Sequence, residues 1–432
     1  SLHSFLASQP VLYQSLSCSR TATARARAMS SRLRDLTDRT LPWIAASGRL
    51  GKSEVKFVKC VFDDGSSGEA QFASSVCFLV AEFENNRGLV EQPMLVKYNM
   101  DDELTRNWLC LNEQFRNEVL VYENVIPFLD RDNTMITIFP RYFYGSAGES
   151  DDPSQYTIIL EDLRSSGFKL SPEILDLDYA HCALAFRKLG VFHALSFAAK
   201  QSNPKEFTNI VDSLIESRLL ERNSESYDYL YLRSLDRAAE PLLKNGEKVE
   251  EINNLKNKVK NIYVYFKNIL TVQEPMGVIC HGDFCRNNVL YKYENGRPVD
   301  IRFFDLATAR YESPMLDFTF FFFLNCSEKS RKLYKDEYLK IYHDSLSTTI
   351  LGVKVPSLED FKEEFRRKAV YGFLISSFFK PALMDSVPFD PVKESRKPLE
   401  IRARRCLSNG GTKATEVTAN MLRELIYLKC EI

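Results

Sequence analysis

Short apolar runs of strand length dominate the chain from Trp43 to about Asp162. They fall at Val55–Phe62, Val76–Phe83, Met94–Tyr98, Met135–Phe139 and Tyr156–Leu160, separated by polar turns such as Asn85-Asn86-Arg87-Gly88. β-branched and aromatic residues in runs of this length, bounded by turn formers, predict strands. Helical spacing interrupts once: Phe115, Tyr122, Val125 and Leu129 share a face, and Glu118 lies on the same stripe. An acid among apolar neighbours needs a partner. Alternation along Met94–Tyr98 sets Leu95 and Lys97 on the face opposite Met94, Val96 and Tyr98, which makes Lys97 the candidate.

After the polar stretch Gly145–Pro153 the pattern turns helical. Ser171-Pro172-Glu173 predicts an N-cap and first turn, with the helix continuing through Cys182, Ala185, Leu189, Phe192 and Leu195. Residues 205–272, rich in charge, Leu and Tyr, predict further surface helices. A short β pattern then returns: Val289–Tyr293, a turn at Glu294-Asn295-Gly296, and Asp300–Phe304. Asn-Gly between two β runs signals a hairpin. Such a hairpin carries Asn288 near its start and Asp305 just past its end, so the two meet although 17 positions apart. Beyond it, Leu358–Phe379 predicts a long helix stopped by Pro381, and Arg402–Thr415 a mobile loop. The expected organisation is α+β: a disordered or non-native leader at 1–40, a strand-rich lobe at 41–163 and a helical lobe at 164–432.

Composition narrows the function classes. With 432 residues, 44% of them hydrophobic, the chain can bury more than one core. Its 57 basic and 58 acidic residues leave a formal charge of -1, so no global field favours nucleic acid or an acidic membrane. The most apolar run, Phe318–Leu324, is far shorter than the ~18 residues of a membrane span. Ten cysteines without a Cys-x-x-Cys pair predict reduced thiols and a cytoplasmic location. The first 34 residues hold five arginines and no acid, the composition of a mitochondrial transit peptide, although Met29 is an equally good start.

The chemistry concentrates in Val278–Tyr291, with His281-Gly282-Asp283 and Asn288, followed by Asp305 after an apolar strand. Phosphoryl transfer asks little covalent chemistry of a protein. It needs a carboxylate facing the attacking hydroxyl, hard oxygen ligands for the metal on the phosphates, and a fixed lysine. Asp283 is the candidate general base, Asn288 and Asp305 the candidate Mg²⁺ ligands, and Lys97 braced by Glu118 the candidate contact to the ATP phosphates. A turn in which Asp283 caps a helix and Asn288 satisfies loop backbone is the bland alternative. It leaves the hairpin and the upstream Lys/Glu pair as coincidences. His193, on an apolar helix face, reads as a hydrogen-bonded core histidine, and Asp317 as an N-cap or a partner of the catalytic loop.

These motifs resemble the ecdysteroid kinase-like family, related to choline kinases and aminoglycoside phosphotransferases. The resemblance runs from about Gly65 to Phe323. It rests on Leu95-Val96-Lys97, Phe115-x-x-Glu118-x-x-x-Tyr122, Ile158–Leu163, Phe192-His193-Ala194, the His281 segment, and Phe304-Asp305 with Ser313-Pro314-x-x-Asp317. It implies a two-lobed protein-kinase-like fold. It also implies that backbone near Glu161 and Leu163 holds adenine, that Gly68–Ser74 covers the phosphates, with Ser74 in contact, and that the acceptor is a small-molecule hydroxyl, a steroid alcohol such as an ecdysteroid. The chain departs from the family pattern at Cys285, where Trp is usual, at Ala307, where Gln is usual, and in the loop at 65–74. A protein kinase fits less well. Gly282 replaces the usual arginine, and 11 residues between Asp305 and Asp317 leave no long activation segment. A choline or ethanolamine kinase and a nucleotide-binding pseudokinase remain open alternatives.

Overall fold

The computed structural model describes residues 31–51, 55–63, 75–148, 152–387, 390–428 and 430. Most of the Arg/Ser-rich start, the predicted phosphate loop and its Ser74 lie outside the described residues. The chain separates into two units, 1–61 with 80–92 and 62–79 with 93–432. In the first, a π-helical turn at Leu36–Thr40 runs into a helix at Leu41–Ala46, and Leu36, Leu41 and Ile44 are buried.

Five strands, β1 (Lys56–Phe62), β2 (Ser75–Asn85), β3 (Gly88–Tyr98), β4 (Tyr142–Ser146) and β5 (Thr157–Glu161), make one sheet in the order β1-β2-β3-β5-β4. β3 and β5 pair antiparallel with Lys97 opposite Ile158. The helical segment between β3 and β4 includes Leu111–Leu120, a π-turn at Val121–Val125 and Ile126–Leu129, with Phe115, Glu118, Tyr122, Val125 and Leu129 all buried. Met135–Phe139 is not a strand. It begins with a 3-10 turn, Met135–Thr137, because Asp130 Oδ1 accepts the Met135 N–H at 2.9 Å and the Thr134 carbonyl that of Thr137 at 2.9 Å. Local capping overrides β propensity here. β4 lacks a strand signal because Gly145 and polar neighbours dilute it.

In the rest of the second unit, β6 (Phe168–Lys169), β8 (Val289–Glu294) and β9 (Arg297–Phe303) form a three-stranded sheet, and β7 (Val278–Cys280) pairs with β10 (Arg310–Glu312). Glu294 pairs with Arg297, so Asn295 and Gly296 form a two-residue turn, both at positive φ (50° and 76°). The first long helix, Tyr179–Ser202, starts later than Ser171-Pro172-Glu173 suggests. Ser171 Oγ does accept the Glu173 N–H at 3.2 Å, but the true cap is Asp178, which accepts from His181 N at 3.0 Å. This helix is long and apolar enough to cross a membrane, yet 78% of its most apolar window is buried inside the protein.

The helix Pro314–Asn325 is buried throughout, which places Phe318–Phe323 in the core. Helices within 205–272 are less superficial than their charge suggests: Ser224–Lys244 buries Leu230, Leu235, Ala238 and Leu242. Pro381 does not stop its helix, which runs from Leu358 to Leu383, since in the final turn a missing N–H removes a single bond. Residues 402–415 are not a loop. Helices Leu399–Ser408 and Gly411–Tyr427 break only at Asn409-Gly410, where Gly410 takes φ 66° and a Cβ would lie 2.8 Å from that of Ala414. A strand-rich beginning followed by a mainly helical remainder gives a protein-kinase-like α+β fold.

Candidate active site

All the groups described below belong to the second unit. β3 delivers Lys97, and its ammonium meets two acids: Nζ lies 2.6 Å from Glu118 Oε2 and 2.9 Å from Asp305 Oδ1, and 5.4 Å from the Phe115 ring centroid. Phe115 and Glu118 are neighbours at i, i+3 on one helix face, so the helix brings an apolar wall and a charge together. Burial works against the Lys97 ammonium, but Asp305 and Glu118 more than offset it and hold its pKa above the ordinary value. Burial also opposes the Asp305 carboxylate, and Lys97 beside it still keeps the pKa below the usual range. Glu118, the more enclosed acid, is pushed up by burial despite Lys97. One cation therefore sits between two acids competing for it.

The predicted base sits on a tightly braced turn. β7 leads into His281-Gly282-Asp283, and both oxygens of Asp317 hold its backbone: Oδ2 accepts the His281 N–H at 2.7 Å and Oδ1 that of Gly282 at 2.9 Å. Gly282 adopts φ 79°, and a Cβ there would fall 2.0 Å from the Thr308 carbonyl oxygen, so only glycine fits. Asn288, opening β8, donates its amide Nδ2 to the Asp283 carbonyl at 2.8 Å and to Asp283 Oδ2 at 2.8 Å. The hairpin returns through Phe304, whose N–H reaches the Asn288 carbonyl at 3.1 Å, and Asp305 follows at φ 64°. Asp is among the few non-glycine residues that tolerate the left-handed region. Asp283 and Asp305 keep 35% and 26% of their side chains exposed, so a ligand can reach both.

Asn288 and Asp305 are hard oxygen donors suited to a divalent cation. Asn288 spends its Nδ2 on Asp283, which leaves Oδ1 as the atom for a metal. Glu161 ends β5 with its N–H on the Arg141 carbonyl at 2.8 Å, and Leu163 opens the 3-10 turn Leu163–Ser166 next to it. Asp162 caps that turn, its Oδ1 accepting the Arg164 N–H at 3.0 Å and its carbonyl that of Ser165 at 3.2 Å. His193 is fully buried and bonded to Tyr342 Oη at 3.0 Å, as a core histidine is.

Two residues carry no sequence signal. Asn117, fully buried, donates Nδ2 to the carbonyls of Ala307 (3.2 Å) and Ala309 (2.9 Å) and accepts the Ile215 N–H at 2.9 Å. Arg218, in the irregular stretch 214–220, donates Nη1 to the Gly282 carbonyl at 2.9 Å and lies 3.4 Å from Asp283 Oδ1. Asn117 lies on the helix of Phe115 and Glu118 but off their apolar stripe, Arg218 sits in no periodic run, and only the folded chain brings them to the site.

Glu312 on β10 links this neighbourhood to pH. Burial pushes its carboxyl up to about 8, against the pull of Arg310, whose Nε is 3.8 Å from Oε2. The unfolded chain releases that proton in the ordinary carboxylate range, while the folded chain retains it to about 8. Stability from this group is therefore lost as pH rises across that interval. Glu312→Gln is expected to flatten the decline, measured as urea midpoints at pH 6 and pH 8.5. An undiminished slope in the variant excludes Glu312 as its source.

The sequence profile of the ecdysteroid kinase-like family matches residues 68–355. Among solved structures, the chain is similar to the GDP complex of wild-type aminoglycoside 2'-phosphotransferase-IIIa at 13% identity, covering 85% of this chain and 94% of that one, TM-score 0.39. It is also similar to amicoumacin kinase hAmiN in complex with AMP-PNP, Ca²⁺ and Ami (11% identity, 91% and 96% covered, TM-score 0.41). A third is the Plasmodium vivax ethanolamine kinase (11% identity, 96% and 96% covered, TM-score 0.37). No curated protein matches the chain at a significant level.

Proposed function

We propose that this chain, which belongs to the ecdysteroid kinase-like family, transfers the γ-phosphate of Mg·ATP to the hydroxyl of a small molecule, a steroid alcohol of the ecdysteroid type. The observation that carries the reading is the Asn288 amide bonded to Asp283 Oδ2, beside a Lys97 that joins Glu118 to Asp305. One side of the arrangement faces an acceptor, the other a polyphosphate.

Asp283 accepts the proton of the acceptor hydroxyl as that oxygen attacks phosphorus. Asn288 holds the carboxylate at one oxygen, and the other lies 3.4 Å from the Arg218 guanidinium. Lys97 binds phosphate oxygens, and Glu118 fixes its direction. Asp305 and Asn288 Oδ1 would hold the divalent cation, whose charge offsets that of the phosphates. The backbone at Glu161 and Leu163 is the proposed seat of the adenine.

Purified protein incubated with γ-labelled ATP and Mg²⁺ against an ecdysteroid, choline, ethanolamine and a generic protein substrate is expected to label the ecdysteroid hydroxyl. Label on choline or ethanolamine alone would transfer the chain to the amino-alcohol kinases. ATP binding without transfer to any acceptor would make it a pseudokinase.

A further inference from the structure

We infer that Arg218 positions Asp283 and sets the charge class of the acceptor, admitting alcohols that are uncharged near the reacting hydroxyl and refusing cationic amino alcohols. This deepens the phosphotransferase reading and rests on it. The two oxygens of Asp283 are shared out: Oδ2 takes the Asn288 amide at 2.8 Å, and Oδ1 faces the Arg218 guanidinium at 3.4 Å. With 16% of its side chain exposed against 35% for Asp283, the guanidinium lies deeper than the carboxylate it faces.

Arg218 is itself held in place. Its N–H donates to Glu216 Oε1 at 2.8 Å, its carbonyl accepts from Tyr227 Oη, and Cζ lies 6.0 Å from the Phe320 ring centroid. The next residue back, Ser217, is buried and donates Oγ to the Ala307 carbonyl at 2.8 Å, two residues after Asp305. Such anchoring is what a positioning group needs, since a carboxylate displaced by about 1 Å costs roughly 10²-fold in rate.

Arg218 also decides which charge can approach Asp283. An ammonium acceptor is recognised by carboxylates free to face it. Asp283 faces the Arg218 guanidinium at 3.4 Å, and Glu216, which accepts the Arg218 N–H, is paired with Arg310. A cation brought to Asp283 would meet Arg218 at close range, whereas an uncharged alcohol meets no such repulsion.

The test compares wild type with Arg218→Gln, Arg218→Glu and Arg218→Lys, reading kcat/KM for an ecdysteroid and for choline and, separately, calorimetric binding of each to protein saturated with Mg·ADP. The ecdysteroid-to-choline ratio is expected to fall by about tenfold or more in Arg218→Gln, further in Arg218→Glu, and to recover in Arg218→Lys. A purely structural residue would lower both acceptors alike, and an unchanged ratio with intact Mg·ADP affinity overturns the inference. So does a wild type that prefers choline. If Arg218→Gln fails to fold, Arg218→Lys must keep the ratio while losing kcat; a lost ratio counts against charge as the determinant. If no chain transfers phosphate, binding still decides: choline bound by Arg218→Glu and not by wild type upholds Arg218 while the kinase reading falls, and equal binding sinks both.

Discussion

Asp283→Asn is expected to lower turnover by roughly 10²–10⁴-fold, the usual worth of a positioned general base, with nucleotide affinity changed less than about twofold. The substitution is nearly isosteric, and its carbonyl oxygen can still accept the Asn288 amide that now bonds Oδ2 at 2.8 Å. The backbone bonds from Asp317 to His281 and Gly282 do not involve the side chain, so the turn survives. What disappears is the basic oxygen and the counter-charge to Arg218. Single-turnover transfer from labelled ATP, with calorimetric nucleotide binding beside it, separates the two effects. Full activity in the variant would assign proton removal elsewhere.

Asp305→Ala acts on the other half of the cleft. Lys97 retains Glu118 at 2.6 Å, so the buried cation is not orphaned and folding should persist. Loss of a direct ligand exceeds the 10–100-fold that outer-shell partners typically cost, and Mg²⁺-dependent nucleotide affinity is expected to drop by more than about 100-fold. Affinity measured in EDTA should move little. Titrations with and without Mg²⁺ that differ by the same factor in variant and wild type would remove Asp305 from the metal.

Much of this site was legible because it is written in short-range geometry. Alternation along β3 and helical spacing from Phe115 to Leu129 were enough to set Lys97 against Glu118, and an Asn-Gly turn to bring Asn288 back to Asp305. These are period-2, period-3.6 and turn rules, which need only neighbours in sequence. Arg218 and Asn117 obey no such rule: their partners lie 65 and 190 positions away. The fold failed to read where a local bond outranked propensity, as at Met135, or where a short Asn-Gly break between two helices passed for a loop, as at Gly410. The helix start was misjudged because Ser171 makes a cap-like bond that no helix follows. Ser74 falls outside the described residues, and the adenine contact proposed for Glu161 and Leu163 is a backbone one, which sequence identity encodes only weakly.

Asn117 has one more implication. Its single amide clasps the residues after Asp305 and the stretch leading to Arg218, one position before Glu118 on the same helix. Moving that helix away would strip three interior bonds at about 1–3 kcal/mol apiece. The helix that carries Glu118, the segment after Asp305 and the segment before Arg218 are thus joined at one side chain, and none of the three can shift alone without breaking one of its bonds.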